Sequence, residues 1–160
     1  MANQLVVDLT NSINAASIVS GANLAGQSVQ HYHHVGSKQY EGTNVVARNE
    51  IIYCAYKNSQ ILAAWVTPES VPASGTSVTV DLQSYIVGTG WTSVLSGTLT
   101  LSSTLTAYTP LALSVSSANL VPAVASTNSA SLLRTVVTVT GAGTQVQGLS
   151  IDVVINENGT

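Results

Sequence analysis

Charge is what this sequence has least of. Only 4 Lys or Arg and 7 Asp or Glu occur among 160 residues, 7% of the chain, with a formal net charge of −3; a typical soluble domain is about 25% charged. Affinity for nucleic acid comes largely from clustered Lys and Arg, and four basic residues cannot build such a surface. Cysteine is nearly absent too. The single Cys54 excludes an internal disulfide framework. Long apolar runs are missing as well: mean hydropathy is +0.33, yet Ser, Thr, Gln, Gly and Asn break every apolar segment well short of the 18 or so residues of a membrane helix. Residues Met1 to Gly21 contain no Lys or Arg, so the basic start of an export signal is not seen. The expectation is synthesis in the cytoplasm without a signal peptide, and neither nucleic acid nor membrane as a partner.

What is present is strand pattern. The stretch from Thr76 to Leu101 organises the rest: Val78, Val80 and Leu82 alternate with hydroxyl, amide and Asp81 side chains, and Leu95, Leu99 and Leu101 alternate with Ser and Thr. A period of two marks a strand with one dry and one wet face. Gly88, Thr89 and Gly90 supply a reversal between the halves, so an antiparallel hairpin is expected. Two further β-rich runs, Ile51 to Tyr56 and Ile61 to Val66, read as a second hairpin around Lys57 to Gln60. Pro68, Pro72 and Gly75 punctuate the chain before the central hairpin. Leu111, Leu113 and Val115 alternate once more, and 116–131 reads as a long polar connection.

Arg134 to Thr140 and a last strand carrying Leu149, Ile151, Val153 and Ile155 on one face flank a Gly-Ala-Gly-Thr turn at 141–144. About eight or nine closely spaced strands with little room for helices make an all-β chain. The expected fold is an antiparallel two-sheet β-sandwich, jelly-roll-like. A chain of this size buries roughly 68–70% of its unfolded surface, so one domain at 45–160 is expected. Before it, 1–44 reads as a short strand over residues 4 to 9 followed by an extended, low-complexity arm from Thr10 to Gly42.

The succession VPASGTSVTVDLQ, VLSGTLTLSS, AYTPLALSVSSANL and LLRTVVTVTGAGTQVQGLSIDVVI, with Glu157 near its end, resembles the β-sandwich of tailed-phage capsid decoration, cement or head-fibre proteins. The resemblance covers residues 71 to 157. Where relatives carry a Lys-Asn-Gly turn, this chain has SYIVGTGW at 84–91, longer and without the Lys or Asn. The resemblance implies a non-enzymatic virion protein on the outer capsid surface, with the major capsid protein as partner and a homo-oligomeric state, trimer or dimer. A surface of neutral hydrogen bonds and apolar contacts agrees independently, because salt screens such contacts little.

Few side chains offer chemistry. His31, Tyr32, His33 and His34 form the one cluster with metal-ligand nitrogens; in a strand, His31 and His33 share a face and His34 opposes them. No fourth ligand is evident, and a polar loop at an interface is the plainer reading, so no metal or other cofactor is expected. Cys54 has no activating base in its pattern and reads as a buried small hydrophobe. Asp81 and Asp152 lie on the polar side of their strands without the cluster that an acid–base pair needs, and no Asp-rich calcium loop occurs. The chain is therefore not expected to be an enzyme.

Tyr85 and Trp91, flanking the central turn, and Tyr32 are the candidate interface or ligand platform. With Trp65 and Tyr108 they raise the alternative of a glycan- or receptor-binding fibre or adhesin module, although Trp65 in its apolar strand reads as core. The Asn158-Gly159-Thr160 sequon has no meaning without export.

Overall fold

The computed structural model describes residues 30–55, 59–86, 89–116, 119–120, 131–141 and 146–158. Ten strands account for most of them: β1 (Gln30–Asn44), β2 (Arg48–Ala55), β3 (Ser59–Pro68), β4 (Ser77–Ile86), β5 (Gly90–Ser93), β6 (Leu99–Leu101), β7 (Leu111–Ala112), β8 (Asn119–Leu120), β9 (Ser131–Thr140) and β10 (Gln147–Asn158). No helix occurs among the described residues. Sheet A runs β1-β10-β3-β7, with β8 also on β3; sheet B runs β2-β9-β4-β5, with β6 also on β4. All these pairings are antiparallel.

Consecutive long strands alternate between the sheets: β1 in A, β2 in B, β3 in A, β4 in B, and at the end β9 in B and β10 in A. This interleaving is a jelly roll, the architecture expected from the strand pattern. The core between the sheets is built from alternate residues, as the period of two requires. Val78, Val80 and Leu82 of β4, Leu133 and Val137 of β9, and Leu149, Ile151, Val153 and Ile155 of β10 are all buried there.

The central hairpin forms, with one change. Gln83 to Ile86 pair with Ser93 to Gly90, and Val78 to Val80 pair with Leu101 to Leu99. Between those ladders the chain leaves the partner strand: Val94 N still donates to Leu82 O at 2.9 Å, but Leu95 bridges to Val115 and Ser96 N donates to Ser114 O. Val94 and Leu95 are both buried, so this excursion brings two neighbouring apolar side chains into the core.

Three expectations are corrected. The runs at 51–56 and 61–66 do not form a hairpin, because β2 pairs with β9 and β3 with β10. Alternation dictates which residues point inward, and strands lying side by side or facing each other across the core satisfy it equally. β9 and β10, the strands on either side of the turn expected at 141–144, likewise belong to different sheets, and 142–144 lie outside the described residues; Gly141 stands at φ 89, where a Cβ would collide with the Gly75 carbonyl oxygen.

The third correction concerns the arm. Its part from 30 to 44 is the strand β1, paired with β10 from Gln30↔Asn158 to Gln39↔Leu149, so the sandwich includes a segment assigned to 1–44. Its buried inward positions include Ser37 and Gln39, polar side chains that hide the alternation. Gln39 is satisfied there by giving and accepting hydrogen bonds with the Val46 backbone. The expected strand at 4–9 and the remainder of the arm lie outside the described residues.

Candidate functional site

Among the described residues, the outer face of sheet B carries the most connected group of side chains. Because Val80 and Leu82 face the core, Asp81, Gln83 and Tyr85 stand outward on β4. Register then places Ser93 beside Gln83, Trp91 beside Tyr85, Arg134 beside Gln83 on the other flank, and Ile51 of β2 beside Arg134. Side chains opposite one another in a ladder share a face and touch.

The contacts form one chain. Ser93 Oγ donates to Asp81 Oδ1 at 2.6 Å, the Leu82 N–H donates to the same oxygen at 2.9 Å, and Gln83 Nε2 donates to Asp81 Oδ2 at 2.8 Å. Gln83 Oε1 in turn accepts from Arg134 Nε at 3.0 Å and Nη2 at 2.7 Å. The Arg134 guanidinium carbon lies 4.0 Å from the centre of the Trp91 ring, and the Trp91 and Tyr85 rings meet at 5.4 Å with a 58° tilt. Asp81 is thereby only 8% exposed although it points away from the core, whereas the sequence pattern reads it as a solvent-facing acid. Ile51 beside the network is 57% exposed.

The platform expected at Tyr32, Tyr85 and Trp91 is divided by the fold. Tyr85 and Trp91 pair on sheet B, while Tyr32, 58% exposed, sits on the outer side of β1 in sheet A. Arg134 also covers one face of the Trp91 indole. Arg134 and Gln83 were not among the expected site residues. Their signal in the sequence is a single cation in the otherwise uncharged strand SLLRTVVTVT, which becomes a site only once register sets it beside Gln83.

The histidines separate as alternation requires. His33 faces inward at the end of the sandwich, its Nε2 3.3 Å from Glu157 Oε2 and its ring 5.5 Å from that of Tyr53 on the opposite sheet. His34 is exposed on the other side of β1, and the His31 side chain lies outside the description. No three His, Cys, Asp or Glu side chains gather as a metal-binding group among the described residues. Burial raises the pKa of the Tyr53 phenol, and its hydroxyl lies 3.3 Å from Ser59 Oγ. Cys54 is half-buried rather than buried. Asp152 lies on the outer face of sheet A, on the far side of the sandwich from Asp81, where it accepts a hydrogen bond from Ser150 Oγ at 2.9 Å.

Trp65 is not core. Ala64 and Val66 take the inward positions of β3, which sends the indole outward at 36% exposure on sheet A. On the same side, a cavity of about 110 Å³ opens among Lys38, Thr67, Glu69, Tyr108 and Ser150. Tyr108 is 65% exposed at φ 57, its N–H donating to Pro68 O at 2.8 Å and its hydroxyl to Glu69 Oε1 at 3.3 Å.

No family model and no curated protein matches the sequence. Solved structures of similar shape are found. A chain in the structure of turnip yellow mosaic virus at 100 K is 10% identical, with 82% of this chain and 94% of that one covered and a TM-score of 0.42. A chain from Desmodium yellow mottle tymovirus is 10% identical, covering 82% and 81%, with a TM-score of 0.34. A chain from the Gx strain of infectious bursal disease virus is 12% identical, covering 84% of this chain and 33% of that one, with a TM-score of 0.37. Likeness at this level assigns no chemistry to the residues described above.

Proposed function

We propose that this chain is a virion structural protein that decorates and cements the outer surface of an icosahedral phage capsid, binding the major capsid protein as a dimer or trimer. The observation that carries the reading is the character of the exterior. A jelly roll of this size with only 11 charged residues exposes Tyr32, Tyr40, Val46, Ile51, Leu62, Trp65 and Tyr108 among hydroxyl and amide side chains. Such a surface gains little from free solution and much from a partner, because its apolar atoms leave water and its neutral hydrogen bonds are barely screened by salt. The sequence resemblance over residues 71 to 157 supports the same reading. The fold does not decide it, since jelly rolls serve capsids and lectins alike.

The test is binding to phage shells assembled without this chain. Stoichiometric decoration that persists from low salt to about 1 M, where the Debye length falls to about 3 Å, is the expected result. Failure to decorate them at either salt refutes the reading. A second reading, a glycan- or receptor-binding module, has its own observation in the cavity beside Tyr108. Loss of glycan binding in Tyr108→Ala, with shells ignored by the unaltered chain, would favour it.

A further inference from the structure

We propose that the outer face of sheet B is the docking face, and that Arg134 at its centre receives a carboxylate from an acidic patch on the partner protein. The inference rests on the reading of this chain as a shell-binding protein and adds the face and the chemistry of the contact. Arg134 is a fixed cation without an acid. Its Nε and Nη2 both donate to the neutral amide oxygen of Gln83, and among the described residues no carboxylate lies within ion-pair distance of it. The acid of the network is engaged elsewhere: Asp81 accepts from Ser93, from the Leu82 N–H and from Gln83 Nε2. Gln83 thus stands between the two charges as a spacer. Asp81 holds the Gln83 amide so that its oxygen meets Arg134, and the guanidinium keeps its positive charge and its remaining N–H donors.

A guanidinium stacked on an indole and pinned at one edge has lost most of its freedom before binding, which is the condition under which a bidentate carboxylate contact is strongest. The surroundings suit a protein partner. Ile51 is exposed beside Arg134, Leu132 and Val136 flank it on β9, and Tyr85 and Trp91 close the other side. Trp, Tyr and Arg set among apolar side chains are the composition of interface hot spots. An acidic sugar fits less well, because the face of Trp91 on which a ring would stack carries the guanidinium.

The test uses Ile51, whose exposure allows a charge without disturbing the core, with melting temperature checking each variant. Decoration of phage shells assembled without this chain is titrated with the unaltered chain, Ile51→Glu, Ile51→Lys and Arg134→Gln. Ile51→Glu sets a like charge against the incoming carboxylate and is expected to weaken binding about a hundredfold; Arg134→Gln is expected to weaken it about thirtyfold or more. Ile51→Lys should stay within about threefold of the unaltered chain or bind more tightly.

Equal losses in Ile51→Glu and Ile51→Lys would overturn the carboxylate assignment. Unchanged binding in every variant would overturn the docking face while leaving shell binding intact. A chain whose own dimer is broken by Ile51→Glu in the absence of shells would show the face to be a self-contact, which also overturns the partner assigned here.

If the unaltered chain ignores shells, the shell-binding reading fails separately, and the carboxylate site is decided by the Arg134 Nε–H resonance during titration with N-acetylglutamate amide. A saturable shift that is weakened in Ile51→Glu, which keeps the resonance and opposes the carboxylate, supports the site. No saturable shift, or one produced only by N-acetylneuraminic acid, overturns it.

Discussion

The two outer faces of this sandwich are built from the same kinds of residue and organised differently. On sheet B, Asp81, Gln83, Arg134, Trp91 and Tyr85 touch in an unbroken series across β4, β5 and β9. On sheet A, Trp65, Asp152 and Lys38 share a face on three different strands, but no hydrogen bond or ring contact ties the indole to either charge. The difference teaches that aromatic and charged side chains do not by themselves make a recognition surface. Side chains already held in place lose less freedom on binding, and only the face of sheet B has made that investment.

The comparison can be broken most severely from beneath. Leu82→Ala under sheet B and Ile151→Ala under sheet A each remove a fully buried side chain; both should cost about 2–5 kcal/mol in denaturant unfolding, showing that the inner faces are equivalent and that the contrast lies outside. Asp81→Ala comes next. It strips three donors of their acceptor in a nearly buried position, an expected loss of about 1–3 kcal/mol, whereas Asp152→Ala on exposed sheet A should stay within about 0.5 kcal/mol. Equal losses at the two aspartates would erase the distinction between the faces.

A double-mutant cycle sharpens it further. Trp91→Ala and Arg134→Gln should couple by about 0.5–1 kcal/mol, while Trp65→Ala and Lys38→Ala should be additive. The smallest effect belongs to the gap between the sheets. Burial holds the Tyr53 pKa above its ordinary value of 10.0, so above that pH the unfolded chain releases a proton that the folded chain retains. Stability therefore falls as pH rises through and beyond 10, and Tyr53→Phe should lessen that alkaline fall in a pH series of melting temperatures.

Much of the architecture was legible because burial writes itself as alternation. Val78 to Leu82 and Leu149 to Ile155 declared their inner faces, and the all-β jelly roll followed. Which strands pair was not legible, since β2 and β3 read as a hairpin yet belong to different sheets, with the same residues inward in either case. β1 was hidden because its inner face carries Ser37 and Gln39, whose burial is balanced by hydrogen bonds rather than by apolar contact. Trp65 misled through composition: an indole in an apolar strand suggests core, but Ala64 and Val66 fix the phase and turn it out. Of the candidate site, Tyr85 and Trp91 were visible as aromatics around a turn. Arg134 was invisible as part of it, because about fifty residues separate it from Gln83 in the chain and only the β4–β9 register unites them.

The two tryptophans supply the most direct measurement, because each marks one outer face. Oxidative footprinting of the free and shell-bound protein compares Trp91 on sheet B with Trp65 on sheet A. Docking through sheet B predicts that Trp91 becomes protected while Trp65 is oxidised as before. Protection of Trp65 with Trp91 unchanged would contradict the account.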